Sequence, residues 1–444
     1  MKSIDQLYID FTKAGGRFAY TPPLSRWNQT TLAQNPYNDQ SDIDLYIHLP
    51  FCPKLCTFCG CNITITQDQN LMKSYLEALK SEWKLKRPDN TTIHSLTLGG
   101  GTPNFVEAKE LANTIKTILN DQNIKLADDF YFRLEADPRI DCTDTIEEIL
   151  SQNIPGLKSE SDLFIQFGVQ DLDSRVTHNV NREQSPEKIH RAIEKVKTNF
   201  KQAEVYCDMI YGLSFQRPES MNKSMHMMLE MPLDGISFYP LAKVPWQKKN
   251  QQLYGEIENL SNKAKKDLFL CGREILIKHN FFNLGLGHFV SRKSKLFEAF
   301  NKKTLTRTLM GYGPSKQQTL LGLGVSSIGY GPTFLTQNTQ ILKNYLFKVN
   351  QSNIPIERTH QKNSDDKNLD LVFHSLSTES STDLSVLNFS KENYQQLKSL
   401  ISEHLHHKLF LLDQDHQQVH ISEQGRDFLK VLCQAIFTIK REDQ

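Results

Sequence analysis

The chain has 444 residues, with 52 Lys and Arg against 51 Asp and Glu, a formal charge of +1. That balance excludes a broad electrostatic grip on nucleic acid or a lipid surface, and 38% apolar with 23% charged residues excludes a disordered chain. No apolar run approaches the ~20 residues of a membrane helix. The opening Met1-Lys2-Ser3-Ile4-Asp5-Gln6 lacks the apolar stretch of a secretion signal, so a cytoplasmic protein without a membrane or nucleic-acid partner is expected.

Residues 1–40 show no periodicity and read as an arm that lies on the rest of the protein or is partly mobile. From about 44 the pattern changes. Leu45–Leu49, Ile93–Leu98, Phe130–Leu134, Leu163–Phe167, Val205–Ile210 and Ile236–Tyr239 have the length and the β-branched or aromatic content of strands. Helical stripes lie between them. Leu71, Tyr75, Leu79 and Trp83 form one. Ser185-Pro186-Glu187 starts another, with Ser as cap and Pro at the first helical position, followed by Ile189, Ala192, Ile193 and Val196. Ala264, Leu268, Cys271 and Ile275 form a third.

Strand and helix in alternation predict an α/β fold with a parallel sheet and crossover helices. Six units are too few for a closed eight-stranded barrel and fit a partial (β/α)6 barrel over residues 41–350. Reactive groups are then expected at the carboxyl ends of the strands. Residues 350–366 are polar and read as a linker. Together with it, residues 351–444 predict a small, mostly helical, winged-helix-like domain. Its helices are expected around Leu369–Leu376, Glu392–Leu405 and Glu423–Phe437, with a hairpin of Lys408–Leu412 and Val419–Ile421. Such modules often bind DNA, but no basic recognition stripe stands out, so a structural or lid role is expected.

Four of the eight cysteines fall between positions 52 and 61. Clustered thiols in a long chain read as metal or redox ligands rather than as a disulfide framework. Cys52, Cys56 and Cys59 form a C-x3-C-x2-C loop directly after the first strand. Three thiolates can hold three irons of a [4Fe–4S] cluster and leave the fourth iron open for a ligand such as the amino and carboxylate groups of a methionine moiety. With Cys61 as fourth thiolate, tetrahedral zinc is the alternative, although the spacing lacks the usual two pairs. After the next strand, Gly99-Gly100-Gly101-Thr102-Pro103 lets the backbone approach a ligand closely. Gly322-x-Gly324-x-x-Ser327 lacks the third glycine of a dinucleotide fingerprint. Cys142, Cys207, Cys271 and Cys433 read as small buried residues, and His404, His406 and His407 as a solvated helix face.

The cysteine spacing and the glycine turn match the signature of radical S-adenosylmethionine enzymes. Within that superfamily, Tyr46-Ile47-His48-Leu49-Pro50-Phe51-Cys52, Cys59-Gly60-Cys61-Asn62, Phe167–Asp171, Val180–Gln184, Asp208–Leu213 and Leu321–Ser326 resemble the oxygen-independent coproporphyrinogen III oxidases. The resemblance runs from about residue 44 to the C-terminus, where Ser422-Glu423-Gln424-Gly425-Arg426 looks like the family's terminal module. It implies that Cys52, Cys56 and Cys59 ligate the cluster and that two S-adenosylmethionine molecules bind. One would contact Tyr46, Gly100, Glu135 and Ile328. The other would lie near Phe58, Gly101, Thr102, Gln170, Arg182, Asp208 and Ala242. Carboxylates suit ribose hydroxyls or a sulfonium charge, and Arg182 suits a carboxylate held bidentate.

The implied reaction starts with one electron from a carrier such as flavodoxin or ferredoxin. It cleaves the sulfonium, removes hydrogen from a propionate and releases carbon dioxide, twice, turning coproporphyrinogen III into protoporphyrinogen IX in porphyrin and haem biosynthesis. A monomer is expected. The resemblance implies no particular catalytic side chain. Departures fall at Arg17–Pro23, at Gly287, where the family has a carboxylate, and at Met310. Arg17, Arg26 and Arg307 are candidates to meet substrate carboxylates. Two alternatives share the architecture: a divergent methyltransferase or other tetrapyrrole-modifying enzyme, and a haem chaperone.

Overall fold

Each run of β-branched and aromatic residues read as a strand forms one. The computed structural model describes residues 3–13, 22, 24–29, 35–154, 156–157, 160–242, 249–251, 260–315, 319–388, 390–405, 407–413, 417–429 and 431–432. Six strands lie side by side: β1 (Asp42–Leu49), β2 (Thr91–Gly100), β3 (Ile124–Ala136), β4 (Leu163–Gln170), β5 (Glu204–Tyr211) and β6 (Gly235–Pro240). Every neighbouring pair is parallel.

The crossovers carry α1 (Gln69–Lys86), α2 (Ala108–Leu119), α3 (Thr143–Ser151), α4 (Pro186–Asn199) and α5 (Pro218–Leu229), and α6 (Asn262–Lys278) follows β6. This is the expected open α/β arrangement, a partial (β/α)6 barrel. Its helices begin for local reasons. Asp68 accepts hydrogen bonds from the amides of Asn70 and Leu71 at the start of α1, and Ser185 accepts from the Lys188 amide ahead of Pro186 in α4. The last cap of α1, Arg87, precedes Pro88, which cannot continue a helix. Met72, Tyr75, Leu76, Leu79 and Trp83 bury the inner face of α1 against the sheet. Cys142 and Cys207 are buried as expected, whereas Cys271 is half-buried.

The sheet extends further than the parallel units. Leu320–Leu323 (β7) lies parallel to β1 on its outer side, with Leu320 opposite Asp44 and Leu323 opposite Ile47. Antiparallel strands Ile328–Tyr330, Phe334–Asn338 and Ile356–Gln361 continue that flank, and His288–Ser291 and Phe281–Gly285 continue the flank beyond β6. The polar stretch read as a linker is therefore partly a strand. Ile356-Glu357-Arg358-Thr359-His360-Gln361 is half-buried near the sheet edge, where polar side chains reach water, so it lacks the apolar alternation of an inner strand.

The C-terminal segment has the expected helices, Ser364–Thr378 and Lys391–Leu405. Its hairpin, Phe410–Leu412 with Gln418–Ile421, gains a third strand, Ser381–Asp383. Of the last helix predicted, the described residues include a short turn, Gly425–Phe428. Arg17, His406, Cys433 and the side chain of His404 lie outside the described residues. The N-terminal arm contains a helix, Ile4–Lys13. Its Tyr8 ring sits 4.5 Å from that of Phe428 and its hydroxyl donates to Asp427. Among the described residues no helix is long and apolar enough to cross a membrane.

A charged pair is sealed between α1 and the flank. Glu82 and Lys86, one helical turn apart, are 0% and 1% exposed and stand 2.8 Å from each other. Lys86 also donates to the Gly322 carbonyl at 2.9 Å and to Asn338 Oδ1 at 2.8 Å. Glu82 accepts from the Gly324 amide, Asn338 Nδ2 and the Tyr345 hydroxyl. The pair thus fixes the turn that follows β7. Removing one member strands the other charge in the core, so Lys86→Met is expected to lower stability by about 3–5 kcal/mol, with Glu82→Gln/Lys86→Met recovering part of it. Denaturant unfolding of the three proteins checks this, and equal losses in single and double variants would contradict it.

Candidate active site

The cysteine loop leaves the carboxyl end of β1. Phe51–Cys52 pairs with Thr64–Ile65, so the chain returns beside its own start, with Cys52 opposite Ile65. Buried loop carbonyls need donors, and side-chain amides from outside the loop supply them. Asn181 Nδ2 donates to the Leu55 carbonyl at 2.6 Å. Asn250 Nδ2 donates to those of Thr57 at 3.2 Å and Cys59 at 2.9 Å. Gln251 Nε2 donates to that of Phe58 at 2.7 Å.

The thiols held by this bracing differ. Cys52 is buried and its Sγ lies 3.3 Å from Thr102 Oγ1; burial pushes its thiol up to about 11, against the pull of that hydroxyl. The Cys59 thiol, hydrogen-bonded to that of Cys61 and half-buried, is also held well above its ordinary value. Cys56 Sγ is approached by Arg182 Nη1 at 3.7 Å. Metal binding displaces such protons. Each cysteine of a [4Fe–4S] cluster binds its own iron. The donor set, three thiols beside a guanidinium at a strand mouth, fits a [4Fe–4S] cluster.

Next to the loop is the glycine turn at the end of β2. The Gly101 amide donates to the Leu49 carbonyl at 2.8 Å, and the Thr102 amide to that of Phe51 at 2.9 Å. Gly100 has φ +111°, and a Cβ there would stand 2.6 Å from the His48 ring. Only glycine allows that closeness. The Gly100 amide donates to Glu135 Oε2 at 3.3 Å, bringing together two predicted site residues.

The remaining predicted residues gather at the same mouth. Tyr46 and Ile328 share an apolar cluster with Trp27, Leu320, Tyr330 and Leu335. Phe58 packs with Val176, Val180, Leu213 and Leu241, and the amide that binds its carbonyl also donates to the Ala242 carbonyl at 3.0 Å. Arg182, buried, donates to the Gly168 carbonyl and to Gln184 Oε1. The Gln170 side chain lies over Gly168, and Asp208 is the cross-strand partner of Gly168.

Several neighbours went unread in the sequence. Asp137, just past β3, pairs with Arg139 at 2.6 Å and Arg182 at 3.4 Å. Burial opposes its charge, but the two guanidiniums hold its carboxyl below the usual range. Its signal was available, since a buried Arg182 needs a counter-ion. Inside the barrel, Asp208 accepts from Gln166 Nε2 at 2.6 Å and from the Tyr239 hydroxyl. Ser237 Oγ stands 3.1 Å from His288 Nδ1. Arg133 donates to the carbonyls of Tyr312 and Met310. Two departures from the family pattern line this layer: Met310 lies on Arg133, and at Gly287, φ +82°, a Cβ would stand 2.5 Å from the Phe238 carbonyl. Of the arginines considered for substrate carboxylates, Arg307 lies over the Tyr312 ring and acts on His288, whereas Arg26 is exposed.

Burial first, then Arg307 and Arg133, hold the His288 imidazole well below its ordinary 6.5. The unfolded chain gains that proton near pH 6.5 while the folded chain does not, so stability falls as pH drops below it, by about 1.4 kcal/mol per unit. His288→Gln is expected to remove about 1 kcal/mol of the acid loss between pH 6.5 and 5.5, since the slope reaches its full value only below that window. Denaturant midpoints read it, and an unchanged slope would contradict a buried neutral imidazole.

The profile of the radical SAM superfamily matches residues 46–228. The oxygen-independent coproporphyrinogen III oxidase of Escherichia coli (strain K12) is 26% identical over 446 residues, covering 98% of this chain and 91% of that protein. That of Helicobacter pylori (strain ATCC 700392 / 26695) is 27% identical, covering 81% and 79%. The solved coproporphyrinogen III oxidase of Escherichia coli, described as a radical SAM enzyme, superposes with a TM-score of 0.83 at 26% identity over 95% of this chain and 96% of that one.

Proposed function

Since this chain belongs to the oxygen-independent coproporphyrinogen III oxidase family of the radical S-adenosylmethionine superfamily, we propose that it converts two propionate side chains of coproporphyrinogen III to vinyl groups, giving protoporphyrinogen IX. Each propionate loses a hydrogen atom, an electron and carbon dioxide. The observation that carries this reading is the meeting of the three-thiol loop with the Gly99–Gly101 turn at the mouth of β1 and β2.

In this reading Cys52, Cys56 and Cys59 each hold one iron, and the cluster with its S-adenosylmethionine supplies, when bound, the reductive C–S cleavage that begins hydrogen removal. The chain's own residues orient the reactants. The Gly100 backbone and the Glu135 carboxylate receive the methionine amino group, and Tyr46 and Ile328 wall the nucleoside. Phe58, Ala242, Gly101 and Thr102 would hold a second S-adenosylmethionine. Arg182 grips its carboxylate and Gln170 and Asp208 take polar edges of the nucleoside. Arg307, beside the neutral His288, would meet a substrate carboxylate. Residues 41–350 carry this chemistry, and residues 1–40 and 351–444 cover it and exclude water. The protein works in the cytoplasm as a monomer and takes its electron from a small carrier such as flavodoxin or ferredoxin.

The interior departures at Gly287 and Met310 favour, as a second reading, a related enzyme acting on another tetrapyrrole. An anaerobic assay of the reconstituted protein with coproporphyrinogen III separates the two. Vinyl product is expected; 5′-deoxyadenosine without vinyl product supports the second reading, and neither contradicts both. In the same preparation, Cys52→Ala, Cys56→Ala and Cys59→Ala are each expected to abolish cluster absorbance while Cys61→Ala keeps it. Equal loss in the Cys61 variant would move the ligand assignment.

A further inference from the structure

We propose that the exposed face formed by the cysteine loop and the helix Leu342–Asn350 (α7) is the docking surface for the electron donor, and that this donor is a small protein with an acidic face. The proposal rests on the cluster reading above. Ile65 is 45% exposed and lies directly across from Cys52 in the short strand pair. Asn62 Nδ2 donates to the Gln340 carbonyl at 2.9 Å, which sets the end of the loop against the start of α7. There Ile341 is 59% and Phe347 67% exposed. The inner side of α7 leads back to the cluster strand. The Tyr345 ring is 5.3 Å from Tyr75, and Tyr75 is 5.2 Å from Phe51, the residue before Cys52.

Charge identifies the partner. Residues 52–67 and 339–356 contain Lys54, Lys343 and Lys348 and no Asp or Glu. None of the three lysines forms an ion pair among the described residues. The nearest carboxylate along the loop, Asp68, is engaged in capping α1. Lys343 and Phe347, four residues apart, share one face of α7. Exposed apolar side chains rimmed by like charge mark an interaction surface, and small, transient interfaces are the rule for electron-transfer partners. A surface of this sign attracts an acidic protein and repels a basic one. The step is the transfer of one electron from the reduced carrier to the oxidised cluster, with no bond made or broken.

The probe is a reduced flavodoxin, mixed anaerobically at low salt with the cluster-loaded full chain, with cluster bleaching as the readout. Lys343→Glu/Lys348→Glu is expected to lower the second-order rate about tenfold, and Phe347→Ser to lower it further. Lys343→Ala/Lys348→Ala is expected to fall between. Raising the salt should bring the wild-type and charge-reversed rates together. Calorimetric binding of oxidised flavodoxin should weaken in the same order, whereas reduction by dithionite should stay unchanged. An unaltered flavodoxin rate, or an equal loss with dithionite, overturns the docking assignment. If the wild-type chain assembles no cluster, the functional reading fails first and this assignment with it.

Discussion

The chemistry assigned to this chain depends on one local constraint: a loop of reduced thiols must keep its shape with little regular structure of its own. Side-chain amides do this work. Asn181 arrives from the segment after β4, and Asn250 and Gln251 from the segment after β6. The loop that would hold the cluster is thus tied to the far side of the sheet, and Gln251 bridges it to Ala242. A metal group with one open position needs such rigidity, because the protein does not close its coordination sphere.

The same economy extends outward. Arg182 reaches toward Cys56, the Gly168 carbonyl, Gln184 and Asp137 at once, so a single guanidinium joins the loop to the ends of β3 and β4. On the other flank, Glu82 and Lys86 lock the turn after β7, which leads into Ile328. Asp427 connects the termini. It accepts from Tyr8 of the N-terminal helix, Arg273 of α6 and Asn283, the last on the strand that leads to Gly287 and His288. Both terminal segments are therefore joined to the wall of the interior layer.

Much of this was legible in the sequence, for physical reasons. Inner parallel strands are buried on both faces and must be continuously apolar, so β1 to β6 announce themselves. Cysteines at a fixed spacing and glycines at a strand end carry their chemistry in their identities. The antiparallel wings did not stand out. Ile356–Gln361 is polar because its position near the edge lets it be, and β7 is a run of four residues lying beside a strand far away in the chain. Asp137, Asn250 and His288 take their roles from neighbours across space, and a polar residue in a linear sequence does not name its partner. The spacing of the thiols left zinc open, and membership of the radical SAM superfamily decides for the cluster.

The central claim is an iron left open by the protein and taken by S-adenosylmethionine. Electron paramagnetic resonance of the anaerobically reconstituted, reduced chain tests it most directly. A [4Fe–4S] signal is expected whose g-values and line shape change when S-adenosylmethionine is added. A signal indifferent to S-adenosylmethionine, or a loop loaded with zinc in place of iron, would contradict it.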